Sequence, residues 1–307
     1  MAKGFMKEKK ASDTAGYTSA MRAIANLAPS DEKYLSDPFS IEFLPFPWSL
    51  TKPLFMAKLF SSLIYRVGMK TPDKMVGFPG MTALACLRHR YIDDEILLAY
   101  KEGVRRFIIL GAGYDTRSLR LNLPGASMLE VDHPDTQVRK RKILQDKHLQ
   151  PNCQLEFAAI DFSQPWSEAL FSHPYITENT GQSAMVVWEG VSCYLHESDV
   201  IQTFEAVSHL LQNGGIFVFD AFSAELMKPD TTIEILRKMR DFVAKKGEPF
   251  YWAEDEAPLK KTLSQYGFNQ VEAITTYNIA EELSEKENLS ISRDEILKYL
   301  VMFRCQL

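Results

Sequence analysis

The spacing of hydrophobic positions changes near Tyr100. From Thr14 to about Tyr100 apolar residues recur at helical intervals, interrupted by Pro38, Pro45, Pro47, Pro53, Pro72 and Pro79, which predicts a helical N-terminal extension. Five short apolar runs follow: Arg106–Leu110, Ser127–Val131, Gln154–Ala159, Ala184–Trp188 and Gly215–Phe219. Each is of strand length and leads into a helix-like stretch, so the pattern reads as βαβ units. Right-handed crossovers then give a mostly parallel sheet with helices on both faces and ligands at the carboxyl ends of the strands. The turn signal Asn213-Gly214-Gly215 precedes the fifth run, and Glu197–Leu211 reads as the helix ahead of it.

Beyond Ala221 the pattern loosens. The span Ser223–Pro258 is charged and reads as mostly helical, fitting an insertion over the ligand edge of the sheet. Gly267–Thr276 and Tyr299–Cys305 read as two more strands, the second with a start that is ambiguous with a helix end. The expectation is an α/β, Rossmann-like fold with a seven-stranded, mostly parallel sheet. With no linker or repeat in view, one domain over 1–307 is expected: an extension at 1–100, a core at 101–222, a lid or insertion at 223–258 and C-terminal strands at 259–307. The aromatic-rich stretch from Leu44 through Trp48 to Phe60 is read as helix packing over a core or a site mouth, because charges interrupt it and no basic amphipathic face develops.

Composition narrows the partners. The 307 residues are 46% hydrophobic and 24% charged, a globular balance, and 35 basic against 40 acidic residues give a formal net charge of −5. That leaves no global basic field for a nucleic acid. The run Arg139-Lys140-Arg141-Lys142 reads as the solvated face of a helix. Cys86, Cys153, Cys193 and Cys305 are widely spaced with no CxxC, arguing against a zinc site or a disulfide framework. No apolar run of membrane-spanning or signal-peptide length is present, so a cytoplasmic protein without a membrane partner is expected, as monomer or homodimer.

Candidate chemistry gathers at the predicted strand ends. Leu110 leads into Gly111-Ala112-Gly113-Tyr114-Asp115-Thr116-Arg117, a glycine turn between strand and helix where a ligand can approach exposed backbone N–H groups. Thr116 stands where the dinucleotide fingerprint has its third glycine. Roughly twenty residues on, Glu130-Val131-Asp132-His133-Pro134 puts acids at the end of the second run, where a carboxylate accepts from a ribose diol. Asp161-Phe162 and Glu189-Gly190-Val191-Ser192-Cys193-Tyr194 end the third and fourth runs at the same sheet edge. An N-cap role for Asp161 stays open.

Read together, Ile109 to Leu121, Glu130 to Pro134 and Glu189 to Leu195 resemble the leucine carboxyl methyltransferase family, which includes protein phosphatase methyltransferases and bacterial polyketide O-methyltransferases of the tetracenomycin type. The resemblance also takes in Ser19-Ala20-Met21-Arg22-Ala23, Ser36-Asp37-Pro38, Arg88 to Asp93 and Gly214 to Asp220. It implies a class I methyltransferase fold and S-adenosyl-L-methionine as cofactor. Gly111, Gly113 and Asp115 would belong to the cofactor loop, Asp132 would hold the ribose, and Asp161 with Phe162 would meet the adenine. Arg88, helped by Arg22, would pair with the methionine carboxylate, Arg90 remaining an alternative. Glu189 would face the methionine amino group, and Tyr194 would stand on the acceptor side as the catalytic candidate. The match thins over Ala224–Glu256, so the acceptor is open between a small molecule and a protein C-terminus.

Methyl transfer from a sulfonium needs alignment more than a nucleophile. A carboxylate acceptor needs no base, whereas a phenol of pKa about 10 gains from one. Neither His133, beside Asp132, nor His196, near a helix start, is assigned that role. Two other readings remain: a nicotinamide-dependent oxidoreductase, disfavoured by Thr116, and a cofactor-binding module that no longer catalyses.

Overall fold

The computed structural model describes residues 13–45, 48–53, 61–162 and 164–307. The N-terminal part carries α1 (Asp13–Ala25), α2 (Ser61–Val76) and α3 (Met81–Lys101). Pro72 lies inside α2 and does not end it. Of the aromatic-rich stretch, Leu44 is buried, while 46–47 and 54–60 lie outside the described residues.

The sheet then builds through β1 (Arg106–Leu110), α4 (Arg117–Arg120), β2 (Ser127–Asp132), α5 (Pro134–Asp146) and β3 (Gln154–Ala159). Two short helices, α6 (Ser167–Phe171) and α7 (Pro174–Thr177), lead to β4 (Ala184–Trp188), followed by α8 (Glu197–Leu210) and β5 (Gly215–Phe222). The spatial order is β3-β2-β1-β4-β5-β7-β6, with β7 (Leu300–Gln306) antiparallel to β5 and to β6 (Gln270–Thr275). Successive side chains of a strand point to opposite faces. Phe107 and Ile109 accordingly join a cluster with Leu84, Leu87, Ile92 and Ile96 of α3, and Ile108 and Leu110 join one with Val200, Phe204 and Val207 of α8. Both faces are covered, which is why the inner strands read as unbroken apolar runs.

Two stretches differ from expectation. The insertion is helical over a 3₁₀ turn at Ala224–Met227, over α9 (Glu234–Lys245) and again from Glu256, while Phe250 and Trp252 are buried in the non-helical chain between. There the Tyr251 N–H donates to the Cys193 carbonyl, a contact that pins the chain to the loop after β4. The C-terminal part contains α10 (Glu256–Gln265) and, between its strands, α11 (Thr276–Glu287). The Thr275 hydroxyl caps α11 by accepting from Asn278 N–H, and Ile279, Ala280 and Leu283 bury its inner face. The last strand begins after a 3₁₀ turn, Glu295–Tyr299, which accounts for its ambiguous start. Among the described residues no helix is long and apolar enough to cross a membrane.

Candidate active site

The strand order reverses between β1 and β4, so the loops leaving them open a crevice at the carboxyl edge. Gly111 adopts φ +67°, and a Cβ there would lie 2.3 Å from Val191 Cγ2, so the β1 and β4 loops can meet only at a glycine. Gly113 N–H donates to Asp132 Oδ2 at 2.6 Å, and His133 N–H to Oδ1 at 2.7 Å. Burial nevertheless pushes the Asp132 carboxyl up, against those two donors. Helix α1 covers this loop: the Ala15 Cβ is 3.2 Å from where a Cβ on Gly113 would sit.

Across the crevice Glu189 meets nitrogen atoms of three side chains. Arg88 Nε reaches Oε1 at 3.1 Å, Arg117 Nη2 reaches Oε2 at 2.8 Å, and His89 Nδ1 lies 3.2 and 3.1 Å from the two oxygens. Burial opposes ionisation of Glu189, yet His89, Arg117 and Arg88 hold its carboxyl well below the usual range. Burial, then Arg117, depresses the His89 imidazole against the pull of Glu189, and its Nδ1 lies between the Glu189 oxygens and Arg117 Nη2, 2.8 Å away. Its Nε2 is buried with no partner among the described residues.

Behind Glu189 the charges continue. Arg117, fully buried, also binds Asp93 and Asp115; Arg120 binds Asp93; Thr116 donates to Asp37, which holds Arg22. This chain ties α1 and α3 to the β1 and β4 loops. Breaking one member of such a buried set leaves a charge without compensation.

Of the ten residues expected at the site, Arg88, Gly111, Gly113, Asp132, Asp161, Phe162, Glu189 and Tyr194 are half-buried along this edge. Arg22 and Asp115 are not brought to the surface. Arg22 spends its donors on Asp37, Ser19 Oγ and the Tyr114 carbonyl, and Asp115 accepts from Arg117 N–H and Nη1. Arg90 faces Asp94, Glu287 and the Tyr34 carbonyl, away from Glu189, so of the two arginines only Arg88 meets the β4 end. Phe162 packs edge-on to Trp166, with centroids 5.0 Å apart. Tyr194 stacks obliquely on Phe250 at 5.3 Å, and Phe250 on Phe222 at 5.6 Å, so the insertion supplies an aromatic wall beside the β4 loop. His133 Nδ1 caps α5 by accepting from Asp135 N–H, and the exposed His196 ring lies 4.4 Å from that of Tyr251.

Sequence reasoning missed His89, Asp93, Arg117, Arg120 and Asp220. The signal was present in part: His89 and Asp93 are four apart, hence on one face of α3, and Arg117 and Arg120 are three apart on α4. One reading needs correction. Lys140 does not belong to a solvated face: it is 1% exposed and lies 2.5 Å from the equally buried Glu130, because its position on α5 points beneath β2.

The comparisons agree with this arrangement. The profile for leucine carboxyl methyltransferase matches residues 15–208, more than half of the chain. A protein of Mycolicibacterium paratuberculosis (strain ATCC BAA-968 / K-10), named as a candidate S-adenosyl-L-methionine-dependent methyltransferase, is 28% identical over 221 residues, 71% of this chain and 75% of that protein. One of the same description from Parafrankia sp. (strain EAN1pec) is 29% identical over 135 residues, which span only 44% of this chain and 43% of its relative. The crystal structure of a candidate methyltransferase from Thermobifida fusca YX shares the fold, with a TM-score of 0.54 at 15% identity, covering 79% of this chain and 87% of that one. Nothing among these supports the nicotinamide reading. With its seven-stranded class I sheet and the match through Tyr194, this chain belongs to the leucine carboxyl methyltransferase family and is an S-adenosyl-L-methionine-dependent methyltransferase.

Proposed function

We propose that the protein is an O-methyltransferase whose acceptor is a carboxylate or hydroxyl group of a small, polyketide-like molecule, a protein C-terminus being the other acceptor of suitable chemistry. The observation that carries the reading is the Arg88–Glu189 pair, half-buried at the carboxyl edge and adjoining the loop that bears Tyr194. The residues fit the cofactor. Arg88 Nη2 has no hydrogen-bond partner among the described residues, and the guanidinium beside a carboxylate matches the opposed charges of an amino acid end. Asp132 offers acceptors to a diol from a carboxyl that two backbone donors hold in place.

When bound, S-adenosyl-L-methionine supplies the methyl group on a sulfonium, already activated for displacement. The work left to this chain is alignment. Arg88 and Glu189 hold the amino acid end, Asp132 the ribose, and Asp161 with Phe162 the adenine, while Gly111 and Gly113 keep the floor free of Cβ atoms. Arg22 and Asp115 act at one remove, by fixing the Tyr114 carbonyl and Arg117. Tyr194 and Phe250 border the acceptor and exclude water from it.

Incubation with methyl-labelled cofactor and three acceptor pools, namely aromatic acids, phenols and peptides with free C-termini, tests this. Label recovered as an alkali-labile ester or an alkali-stable ether supports O-methylation and separates the two acceptor groups. Label found only on nitrogen or carbon, or no binding of S-adenosylhomocysteine in calorimetry, overturns it.

A further inference from the structure

Asp220, at the end of β5, lies beyond the residues that the family profile matches and has so far no role. It is 1% exposed, and both carboxylate oxygens are engaged at the crevice. Oδ1 accepts from Gly190 N–H at 2.6 Å, and Oδ2 lies 3.5 Å from Arg88 Nη1. Its own carbonyl accepts from Ser192 Oγ at 2.8 Å. One residue therefore holds the backbone just past Glu189, the turn before Tyr194, and the arginine.

The arginine is enclosed from three sides. Glu189 takes Nε, Asp220 takes Nη1, and Gly190 lies under the guanidinium plane, where an added Cβ would come within 2.8 Å of Nη2 and 3.0 Å of Cζ. Gly190 adopts φ +67°, so both its conformation and the space above it require glycine. A guanidinium is planar, with its donors in a fixed fork, so fixing Nε and one flank also fixes the direction of the Nη1–Nη2 edge. That edge is the one a carboxylate binds in a bidentate manner.

We propose that Asp220 is a positioning residue for the amino acid end of the cofactor: it holds Arg88 and the Gly190 backbone so that the free guanidinium edge faces the carboxylate of the methionine moiety. Asp220 touches no ligand atom in this scheme and acts through Arg88. The inference rests on the cofactor reading above. It also restricts the effect to one end of the ligand, because the adenine and ribose contacts lie on β2 and β3.

The test compares two ligands by calorimetry: S-adenosylhomocysteine, and 5′-methylthioadenosine, which keeps the nucleoside and the thioether but has no amino acid end. In Asp220→Asn the amide oxygen still accepts from Gly190 N–H while the charge facing Arg88 is lost. The dissociation constant for S-adenosylhomocysteine should rise about tenfold or more, the usual weight of a charge-assisted hydrogen bond, and that for 5′-methylthioadenosine should stay within about twofold. Gly190→Ala, which displaces the guanidinium from its other side, should show the same split and provides the answer if Asp220→Asn does not fold. Equal weakening of both ligands, or no weakening of either, overturns the proposal. Failure of the unaltered protein to bind S-adenosylhomocysteine would instead remove the cofactor reading on which it stands.

Discussion

Replacing Lys140 by methionine removes a charge that sits inside a run of four basic residues and yet is buried. Lys140 and Glu130 are each 1% exposed, with Nζ 2.5 Å from Oε2, and Ser118 Oγ approaches Oε1 at 3.4 Å. Burial already pushes Glu130 up to about 7 against the pull of Lys140. Without the ammonium the folded protein must bury an ionised carboxylate with no counter-ion, at a cost of about 3–5 kcal/mol, or keep it protonated. Protonation costs about 1.4 kcal/mol for each pH unit above the unfolded-chain value, which is 4.5 here. The cheaper route sets the loss. Because Glu130 of the unaltered protein itself takes up a proton as pH falls through about 7, the protonation route adds about 1.4 kcal/mol to the loss for each pH unit above that value and little below it. Above that value the folded variant binds a proton that the unfolded chain has released, so stability falls as pH rises. Urea unfolding at several pH values, for the unaltered protein, Lys140→Met and Lys140→Met with Glu130→Gln, measures this directly. The double variant should lose the pH dependence. A loss below about 0.5 kcal/mol at every pH, the behaviour of a surface lysine, or a loss independent of pH, refutes the reasoning.

Acid should attack the charge network before the sheet. Burial opposes ionisation of Asp37, Asp93, Asp115 and Glu189, but the surrounding arginines hold all four below their usual values. Their contribution is therefore complete above the unfolded-chain values of 3.8 and 4.5 and is lost as pH falls through the depressed folded ones; tryptophan fluorescence that stays flat down to about pH 2 contradicts this, since below those values the unfolded chain takes up protons that the folded one refuses. Arg22→Ala breaks a buried pair and frees the Tyr114 carbonyl, so it should cost about 3–5 kcal/mol and speed proteolysis within 13–45, with little recovery in Arg22→Lys. Unchanged melting and cleavage would exclude the staple. Phe250→Leu, which trims the wall beside Tyr194, should lower kcat/KM for the acceptor and leave S-adenosylhomocysteine affinity unchanged; the reverse pattern would move Phe250 to the cofactor side.

The inner strands were legible because a strand buried on both faces is a short apolar run, and β1 and β4, buried throughout, begin and end where such runs do. Helix α11 was not, although Ile279, Ala280 and Leu283 carry its spacing, because the apolar residues flanking it drew attention to strands instead. At the site, Asp132 and Glu189 were legible as acids ending predicted strands. Arg117 was not, since its partners come from positions 89, 93, 115 and 189, and no local pattern records that convergence. Lys140 fails for a related reason. Charge density along the chain says nothing of direction, whereas one position in each helical turn faces inward.

The same network bears on whether residues 1–100 form a unit of their own. In α3 the side chains of Leu87, Ile92 and Ile96 have no exposed surface and pack with Phe107 and Ile109 of β1. In the charge network, Arg22 and Asp37 reach Tyr114 and Thr116, while Asp93 takes Arg117 and Arg120. Apolar burial and buried ion pairs thus cross the same boundary, and neither survives separation without exposing core or stranding charge. We therefore propose that the described residues from 13 onward form one cooperative domain. Calorimetric melting should give a single transition whose van't Hoff and measured enthalpies agree. Two transitions, or a fragment from residue 101 onward that melts cooperatively by itself, would show that the extension is separable and that the contacts crossing the boundary are weaker than their burial implies.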